Sequence, residues 1–304
     1  MKDNKKTLFI VNPKAGKGSA NKYFEKVYDQ LKEKFSNPDL IISKYPGHLY
    51  EIGKDAVKKR YERIISMGGD GTPYEIINGI YNKKKENKNI EFGFLPAGTG
   101  NSFLRDFSEI SVEKILNRIL ESKNRVVDLA QFNLSVNDKI ENKYFLNILG
   151  IGLIADILKL TNERFKFLGP AGYGLGVLAR LFKGMKNRIH LDVDGREYEF
   201  RNSAMVISNS KYTGGTMKIA PDAVTDDGKV NIIVFNEVDR RDILKIFSGI
   251  FKGSHLEHPK VVHLTGSRIK VNTEPEEMVM ADGELIGKTP VNMKVLPKEL
   301  KILV

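Results

Sequence analysis

The stretch Ser66-Met67-Gly68-Gly69-Asp70-Gly71-Thr72-Pro73-Tyr74-Glu75 constrains this chain more than any other. The apolar run Arg63-Ile64-Ile65-Ser66-Met67 delivers it, and a helical pattern marked by Ile76, Ile77 and Ile80 leaves it. A strand must therefore become a helix across Gly68, Gly69, Asp70 and Gly71. Glycine lets the backbone bend tightly and come close to a bulky partner. Unpaired N–H groups at a helix N-terminus form an anion site. Asp70 sits inside that cluster, and a lone carboxylate repels phosphate unless a cation stands between them. Mg²⁺ is the natural choice, because it takes one or two carboxylates together with waters and phosphate oxygens. The same residues also suit a plain strand-to-helix turn with an incidental Asp, so the rest of the chain must decide.

The first half repeats the pattern. Thr7–Val11 reads as a buried strand, followed by the loop Asn12-Pro13-Lys14-Ala15-Gly16-Lys17-Gly18-Ser19. Phe24, Val27, Tyr28, Leu31 and Phe35 then recur at helical spacing. Asp39–Ser43 is a second strand, stopped by Tyr45-Pro46-Gly47-His48, and Leu49, Ile52 and Ala56 mark a second helix. Glu91–Leu95 is a further strand, running into Pro96-Ala97-Gly98-Thr99-Gly100-Asn101-Ser102. Alternating strands and helices imply a parallel, helix-covered sheet. Such sheets bind ligands at the C-terminal ends of their strands. The loops 12–19, 43–48, 68–75 and 96–102 share that end and carry the Gly, Ser/Thr, Lys and Asp residues that a nucleotide polyphosphate needs. The Gly-Lys loop lacks the glycine spacing of a Walker phosphate loop.

After about Arg125 the texture changes to short strands at 126–134, 143–149, 189–193, 197–200, 204–208, 229–235, 261–264, 268–271, 291–295 and 300–304. Many short strands broken by turns suggest a β-sandwich. The fold class is thus α/β + all-β. The expected division puts residues 1–126 in an α/β domain, with 299–304 packing back on it, and 127–298 in the sandwich. The stretch 153–187 reads as a basic amphipathic helix, with Leu175, Leu178, Leu181 and Phe182 beside Arg180 and Lys183. It either covers one sandwich face or borders a lipid entry at a membrane surface. Two acidic turns stand out, Val224-Thr225-Asp226-Asp227-Gly228-Lys229 and Met280-Ala281-Asp282-Gly283-Glu284. Each is either an ordinary Asp-Gly turn or a working site: the first a divalent-ion loop, the second a base that accepts a hydroxyl proton. The histidines form no ligand pair and read as surface or loop residues.

The 304 residues carry a net charge of +11 and no cysteine. Disulfides and thiolate metal sites are excluded. No run approaches the roughly 18 apolar residues that a membrane span needs, and a cytoplasmic protein is expected. The positive charge favours polyanions such as nucleotide phosphates or an anionic membrane face. With lysines scattered and no aromatic-interleaved basic patch, nucleic acid is not expected as a partner. Exposed strand edges leave a homodimer open.

Taken together these motifs resemble the diacylglycerol kinase catalytic-domain family, and most of all its soluble bacterial lipid kinases, with sphingosine and ceramide kinases as relatives. The resemblance runs in order through Asn12-Pro13-Lys14-Ala15-Gly16, Gly68-Gly69-Asp70-Gly71-Thr72, Leu95-Pro96-Ala97-Gly98-Thr99-Gly100-Asn101, Ala220-Pro221-Asp222-Ala223, Asp227-Gly228, Asp282-Gly283-Glu284 and Leu296-Pro297. It implies a nucleotide-binding α/β domain like that of NAD kinases, a β-sandwich lipid domain, and ATP- and Mg²⁺-dependent transfer of a phosphoryl group to a lipid hydroxyl. Carried over by position, Asn12, Ser43, Gly68, Gly69, Asp70, Gly71, Thr72, Pro73, Tyr74 and Thr99 would contact the nucleotide. Asp70 would act through water and Mg²⁺. Asp282 would be the base, with Glu284 nearby, and Asp282→Ala is expected to fold while losing lipid phosphorylation. Asp227 and the carbonyls of Val224 and Lys229 would match a structural Mg²⁺ site. Pro73-Tyr74 replaces the usual Leu-Asn, and Ser102 stands where bacterial members often carry Asp, which leaves the acceptor open. The rival readings are a NAD kinase-like soluble kinase and a catalytically silent membrane- or nucleotide-binding regulator.

Overall fold

A computed structural model describes residues 3–81, 89–98, 100–107, 110–136, 139–160 and 186–304. The chain divides into two compact units, residues 1–127 with 298–304, and residues 128–297.

The first unit is a parallel sheet with the order β2-β1-β3-β4-β16. Its strands are β1 (Thr7–Val11), β2 (Asp39–Ile42), β3 (Arg63–Gly68), β4 (Glu91–Pro96) and the end of β16 (Val291–Leu303). The helices are α1 (Ala20–Lys34), α2 (His48–Lys58), α3 (Gly71–Tyr81) and α4 (Val112–Leu120). Alternation along the strands sends Phe9, Val11, Ile65 and Met67 to one face, where they form a core with Phe24 and Leu31 of α1 and Ile115 and Ile119 of α4. On α2 and α3 the glycines Gly53 and Gly79 let the backbones touch. A Cβ on Gly53 would lie 2.4 Å from the carbonyl oxygen of Ile76, and one on Gly79 would lie 2.1 Å from that of Tyr50.

The second unit holds a six-stranded antiparallel sheet with the order β12-β11-β10-β7-β14-β15. The strands are β7 (Ile148–Ile151), β10 (Ala204–Ser208), β11 (Val230–Phe235), β12 (Val261–Gly266), β14 (Met278–Ala281) and β15 (Glu284–Lys288). A second antiparallel array joins β16 to β13 (Arg268–Glu274), β8 (Arg188–Val193) and β9 (Arg196–Arg201), and β5 (Asn124–Val136) pairs with β6 (Lys139–Phe145). Among the described residues this unit also carries the helices α5 (Leu153–Leu160) and α6 (Arg240–Ile250). Ile148, Val206, Ile233 and Phe235 pack with Ile246 and Ile250 of α6 into its core.

Several expectations change. The single strand expected over 143–149 is two strands, β6 and β7, because the chain turns at Leu146-Asn147. The separate strands at 291–295 and 300–304 are one, β16, which runs through Pro297. Helix α6 was not expected. It begins on a reciprocal capping box between Asp239 and Asp242. Of the amphipathic stretch at 153–187, only Leu153–Leu160 and the residues from 186 onward lie inside the described residues.

Candidate active site

All four loops of the first unit leave the C-terminal ends of parallel strands, and main-chain contacts knit them together. Asn12 N–H donates to the Met67 carbonyl at 3.0 Å, Ser43 N–H to that of Val11 at 2.9 Å, and Ala97 N–H to that of Gly68 at 2.8 Å. The glycines are required here by close approach. A Cβ on Gly98 would sit 2.4 Å from the Cα of Gly69, and one on Gly16 would sit 2.2 Å from the Ala97 carbonyl oxygen. Gly16 also has φ +58°, a conformation that costs a side-chain-bearing residue more. Side chains add to the frame. The Asn12 amide donates to Thr72 Oγ1 at 3.0 Å. Asn101 folds over its own loop, accepting from Gly98 N–H at 3.1 Å and donating to the Gly98 carbonyl at 2.8 Å. Thr99 lies outside the described residues.

Asp70 lies where the loops meet. Ser102 N–H donates to its Oδ1 at 2.7 Å and Ser102 Oγ lies 3.4 Å from Oδ2. Burial pushes this carboxyl up from its ordinary value, and the N–H groups of Ser102, Phe103 and Asn101 offset that only in part. The carboxylate therefore anchors the turn that follows β4. Gly68, Gly69, Asp70, Pro73, Asn101 and Phe103 line an open pocket of about 290 Å³ beside it. Gly71 opens α3, and Pro73 sits in its first turn, where a missing N–H costs no helical hydrogen bond. Thr72 and Tyr74 are buried, so the Tyr74 ring packs inside rather than standing open to solvent. Beyond Ser43, which is also buried, Tyr45 stacks on His48 with centroids 4.6 Å apart.

In the second unit Asp282 and Gly283 form the two-residue turn between β14 and β15, both at positive φ (47° and 92°), as a tight hairpin demands. The Asp282 side chain folds inward and is 7% exposed. Its Oδ2 accepts from Leu146 N–H at 2.8 Å, and its Oδ1 from Asn147 and Ile148 N–H, both at 2.9 Å. These bonds hold the β6–β7 turn in place. Glu284, one residue past the turn, is exposed. Around the turn lies a buried polar group that the sequence reading missed. Asn147 accepts from Ser210 Oγ, and the Asn209 amide donates to the carbonyls of Asp128 and Leu146 at 3.1 and 2.9 Å. Asp128 is fully buried and its Oδ2 accepts from Gly228 N–H at 2.7 Å. The signal was present: an acid at the centre of the apolar run Val126-Val127-Asp128-Leu129-Ala130 has to be satisfied internally.

The 224–229 loop closes on itself, with Asp227 Oδ1 accepting from Lys229 N–H at 2.9 Å and Val224 exposed. Among the described residues no three His, Cys, Asp or Glu side chains gather as a metal site. The available donors are hard oxygens from single carboxylates, which suit a Mg²⁺ that keeps waters or phosphate oxygens in its shell rather than one caged by protein alone.

Helix α6 and the β10–β11 face border an open apolar cavity in the second unit, whose empty space, adjoining solvent included, is about 730 Å³. Its walls include Ile148, Val206, Met217, Phe235, Ile246 and Phe247, and among the described lining residues the only side-chain hydroxyl belongs to Thr213.

The first unit is thus a parallel α/β fold whose glycine loops converge at the strand ends, and the second an antiparallel fold with a buried aspartate turn. Residues 6–132 match the family described as "Diacylglycerol kinase catalytic domain", and residues 147–304 match "YegS C-terminal NAD kinase beta sandwich-like domain". The chain belongs to the diacylglycerol kinase family, and by that membership it is a kinase. It is 25% identical to the diacylglycerol kinase of Staphylococcus carnosus over 300 residues, covering 98% of this chain and 94% of that one. It is 24% identical to the diacylglycerol kinase of Bacillus subtilis, covering 97% of each. Its fold matches a crystal structure of a diacylglycerol kinase candidate from Bacillus anthracis with a TM-score of 0.79 at 26% identity, covering 98% and 96% of the two chains. Yeast NADH kinase shares the fold alone, with a TM-score of 0.52 at 11% identity over 99% of this chain and 83% of that one.

Proposed function

We propose that this kinase transfers the γ-phosphoryl group of ATP to the hydroxyl of a lipid alcohol such as diacylglycerol or a sphingoid base. The observation that carries the reading is the apolar cavity of the second unit. A hydrocarbon chain loses nothing by entering walls of Ile, Val, Met and Phe, whereas a nicotinamide dinucleotide would leave its polar groups unpaired there. The names of the relatives point the same way.

In this reading the glycine loops around Asn12, Ser43, Gly68–Thr72 and Gly98 hold the nucleotide, and Pro73 lies in the first turn of the helix whose N-terminus faces its phosphates. Mg²⁺ bound with the nucleotide would neutralise phosphate charge, with Asp70 as its water-mediated partner, and Asp227 with the carbonyls of Val224 and Lys229 would hold a separate structural Mg²⁺. Asp282, fixed by three N–H groups, accepts the lipid hydroxyl proton, with Glu284 beside it. The protein works in the cytoplasm and meets its acceptor at a membrane face.

The test is incubation of the purified chain with γ-labelled ATP and Mg²⁺, in separate arms with a lipid extract in detergent micelles, with NAD, and with neither. A labelled lipid identified by mass spectrometry is the expected product. Label in NAD, or ATP turnover that ignores added lipid, would overturn the reading.

A further inference from the structure

Helix α6 has two distinct faces. Ile243, Ile246, Phe247 and Ile250 line the apolar cavity. On the outward side Leu244 is 54% exposed and Phe251, the residue that ends the helix, is 47% exposed. Phe251 stands edge-on to Phe247 at 5.6 Å, so an apolar surface runs without a break from the cavity wall to the outside. Arg240, Arg241, Lys245 and Lys252 are exposed along the same stretch. The two acids of this stretch are engaged. Asp239 caps the helix by accepting from Arg241 and Asp242 N–H, and Asp242 bridges Lys260 at 2.6 Å and faces His258 at 3.5 Å. Scattered exposed apolar residues need no explanation. Two large ones on a single stripe, continuous with an apolar cavity and flanked by cations, have the composition of an interfacial helix.

We infer that the outer face of α6 is the surface by which this protein docks on an anionic lipid bilayer, with Leu244 and Phe251 entering the headgroup region. Arg241, Lys245 and Lys252 supply the attraction to acidic headgroups. The occupant is a membrane rather than a second copy of the chain, because a copy would set the same cations against each other. The inference rests on the lipid reading of the cavity, since an acceptor confined to a bilayer must be collected there. It places membrane contact on an element of eleven residues, while most of the stretch at 153–187 lies outside the described residues.

The experiment uses the full chain and vesicles of equal parts phosphatidylglycerol and phosphatidylcholine, with pure phosphatidylcholine as the reference. The wild type co-sediments with the anionic vesicles and not with the neutral ones. L244E/F251E and R241E/K245E, shown by thermal unfolding to be folded, each lose about tenfold or more in vesicle affinity. Phosphorylation of lipid in neutral detergent micelles stays at the wild-type rate, because none of these residues lines the cavity. Leu244→Trp creates the sole tryptophan of the chain, and its emission shifts to the blue on anionic vesicles, which decides the matter if the glutamate variants do not fold. Wild-type vesicle binding by folded L244E/F251E, an unmoved Leu244→Trp emission, or a dimer dissolved by L244E/F251E at unchanged vesicle binding would each overturn the inference. Vesicle docking as expected, with no lipid phosphorylated in micelles, would uphold the docking face and reject the kinase acceptor.

Discussion

Lys301 Nζ stands 2.7 Å from Glu91 Oε1, and the two residues face each other in register where β16 returns to pair with β4. Lys5 reaches the same oxygen at 2.6 Å, and Arg63, opposite Glu91 on β3, holds the other at 2.6 Å. Arg63 is 1% exposed, lies 4.8 Å over the Phe35 ring and bridges Asp3 at 2.8 Å. Glu91 thus ties the N-terminal and C-terminal segments to one carboxylate. It does so at the starts of β3 and β4, the opposite end from the glycine loops, so the charges that hold the first unit together are kept apart from those loops.

Burial alone would raise the Glu91 carboxyl, but hydrogen bonds from Lys301, Lys5 and Arg63 outweigh it and bring it from 4.5 to about 2. A carboxyl lowered in the folded state stabilises fully above its unfolded value, and that contribution fades as pH falls from about 4.5 to about 2. Glu91→Gln leaves Arg63 buried without its full partner and should cost about 3 kcal/mol at pH 7. Urea midpoints measured from pH 7 downward should show the gap between wild type and variant closing across that window. A gap that persists to pH 2 would contradict the assignment.

Asp282 cannot be removed as cleanly as its sequence position suggests. As an exposed hairpin acid it would be free to vary, but here it satisfies the N–H groups of Leu146, Asn147 and Ile148. Asp282→Ala orphans them, each at about 1–3 kcal/mol, so this variant should be strongly destabilised as well as inactive. Asp282→Asn keeps one accepting oxygen and suits the positive φ. It should unfold at a temperature between those of the Ala variant and the wild type, while turnover drops about 10²- to 10⁴-fold. Unfolding temperatures read beside kcat separate the two roles, and near wild-type turnover by folded Asp282→Asn would remove this residue from the chemistry.

Asp70 should behave in the opposite sense. Its carboxyl is raised by burial, so carrying a charge at neutral pH costs folding energy, and that cost disappears as the pH falls and the group protonates in both states. Asp70→Asn should therefore unfold at the same temperature as the wild type or higher at pH 7, with the advantage shrinking in acid, yet lose about 10²-fold in phosphoryl transfer. A less stable Asn variant with intact turnover would refute both halves of the argument.

How much of this was legible depended on where the constraint sits. The α/β unit could be read because each strand announces itself as a short apolar run and each loop needs glycine for a reason local to the chain. The contact of Gly69 with Gly98 could not be read as such, but the four loops at one sheet end could. The second unit was read less well. The Met278–Ala281 and Glu284–Lys288 hairpin hides behind Asp282-Gly283, whose acid is explained only by N–H groups about 135 positions earlier. Helix α6 interrupts a run of strands with an amphipathic pattern too brief to outweigh them. His255, expected at the surface, is buried with Nε2 on the Ile219 carbonyl at 2.9 Å, and burial holds its imidazole below the ordinary value. The apolar cavity has no short signature, because its walls come from β7, β10, β11, α5 and α6.

If the cavity receives the acceptor chain, filling it should discriminate by chain length. Ile243 lies on its wall from α6 and is only partly buried, so Ile243→Trp can be accommodated without breaking a strand. The variant should keep its nucleotide KM and its turnover on a short-chain lipid alcohol, while KM for a long-chain acceptor rises about tenfold, the effect of denying it a few buried methylenes. Equal KM changes for short and long acceptors would show that the chain does not lie there.

The contact of Gly69 with Gly98 makes a last demand on the first unit. An added methyl on Gly98 would stand 2.4 Å from the Cα of Gly69, and backbone cannot yield as a flexible side chain can. Gly98→Ala must therefore push the turn after β4 away from the Gly68–Gly71 loop, loosening the hydrogen bond from Ser102 N–H to Asp70. Because the strain falls on surface loops, global unfolding should move by only about 1–2 kcal/mol. Nucleotide affinity measured by calorimetry should fall about tenfold or more, since the proposed nucleotide site puts phosphate on the loop that has moved. Gly18→Ala serves as the control, because its added methyl meets nothing within 4 Å and only the cost of its φ of +91° is incurred. Equal nucleotide affinity for the two variants would mean that the Gly69–Gly98 contact does not shape the nucleotide site.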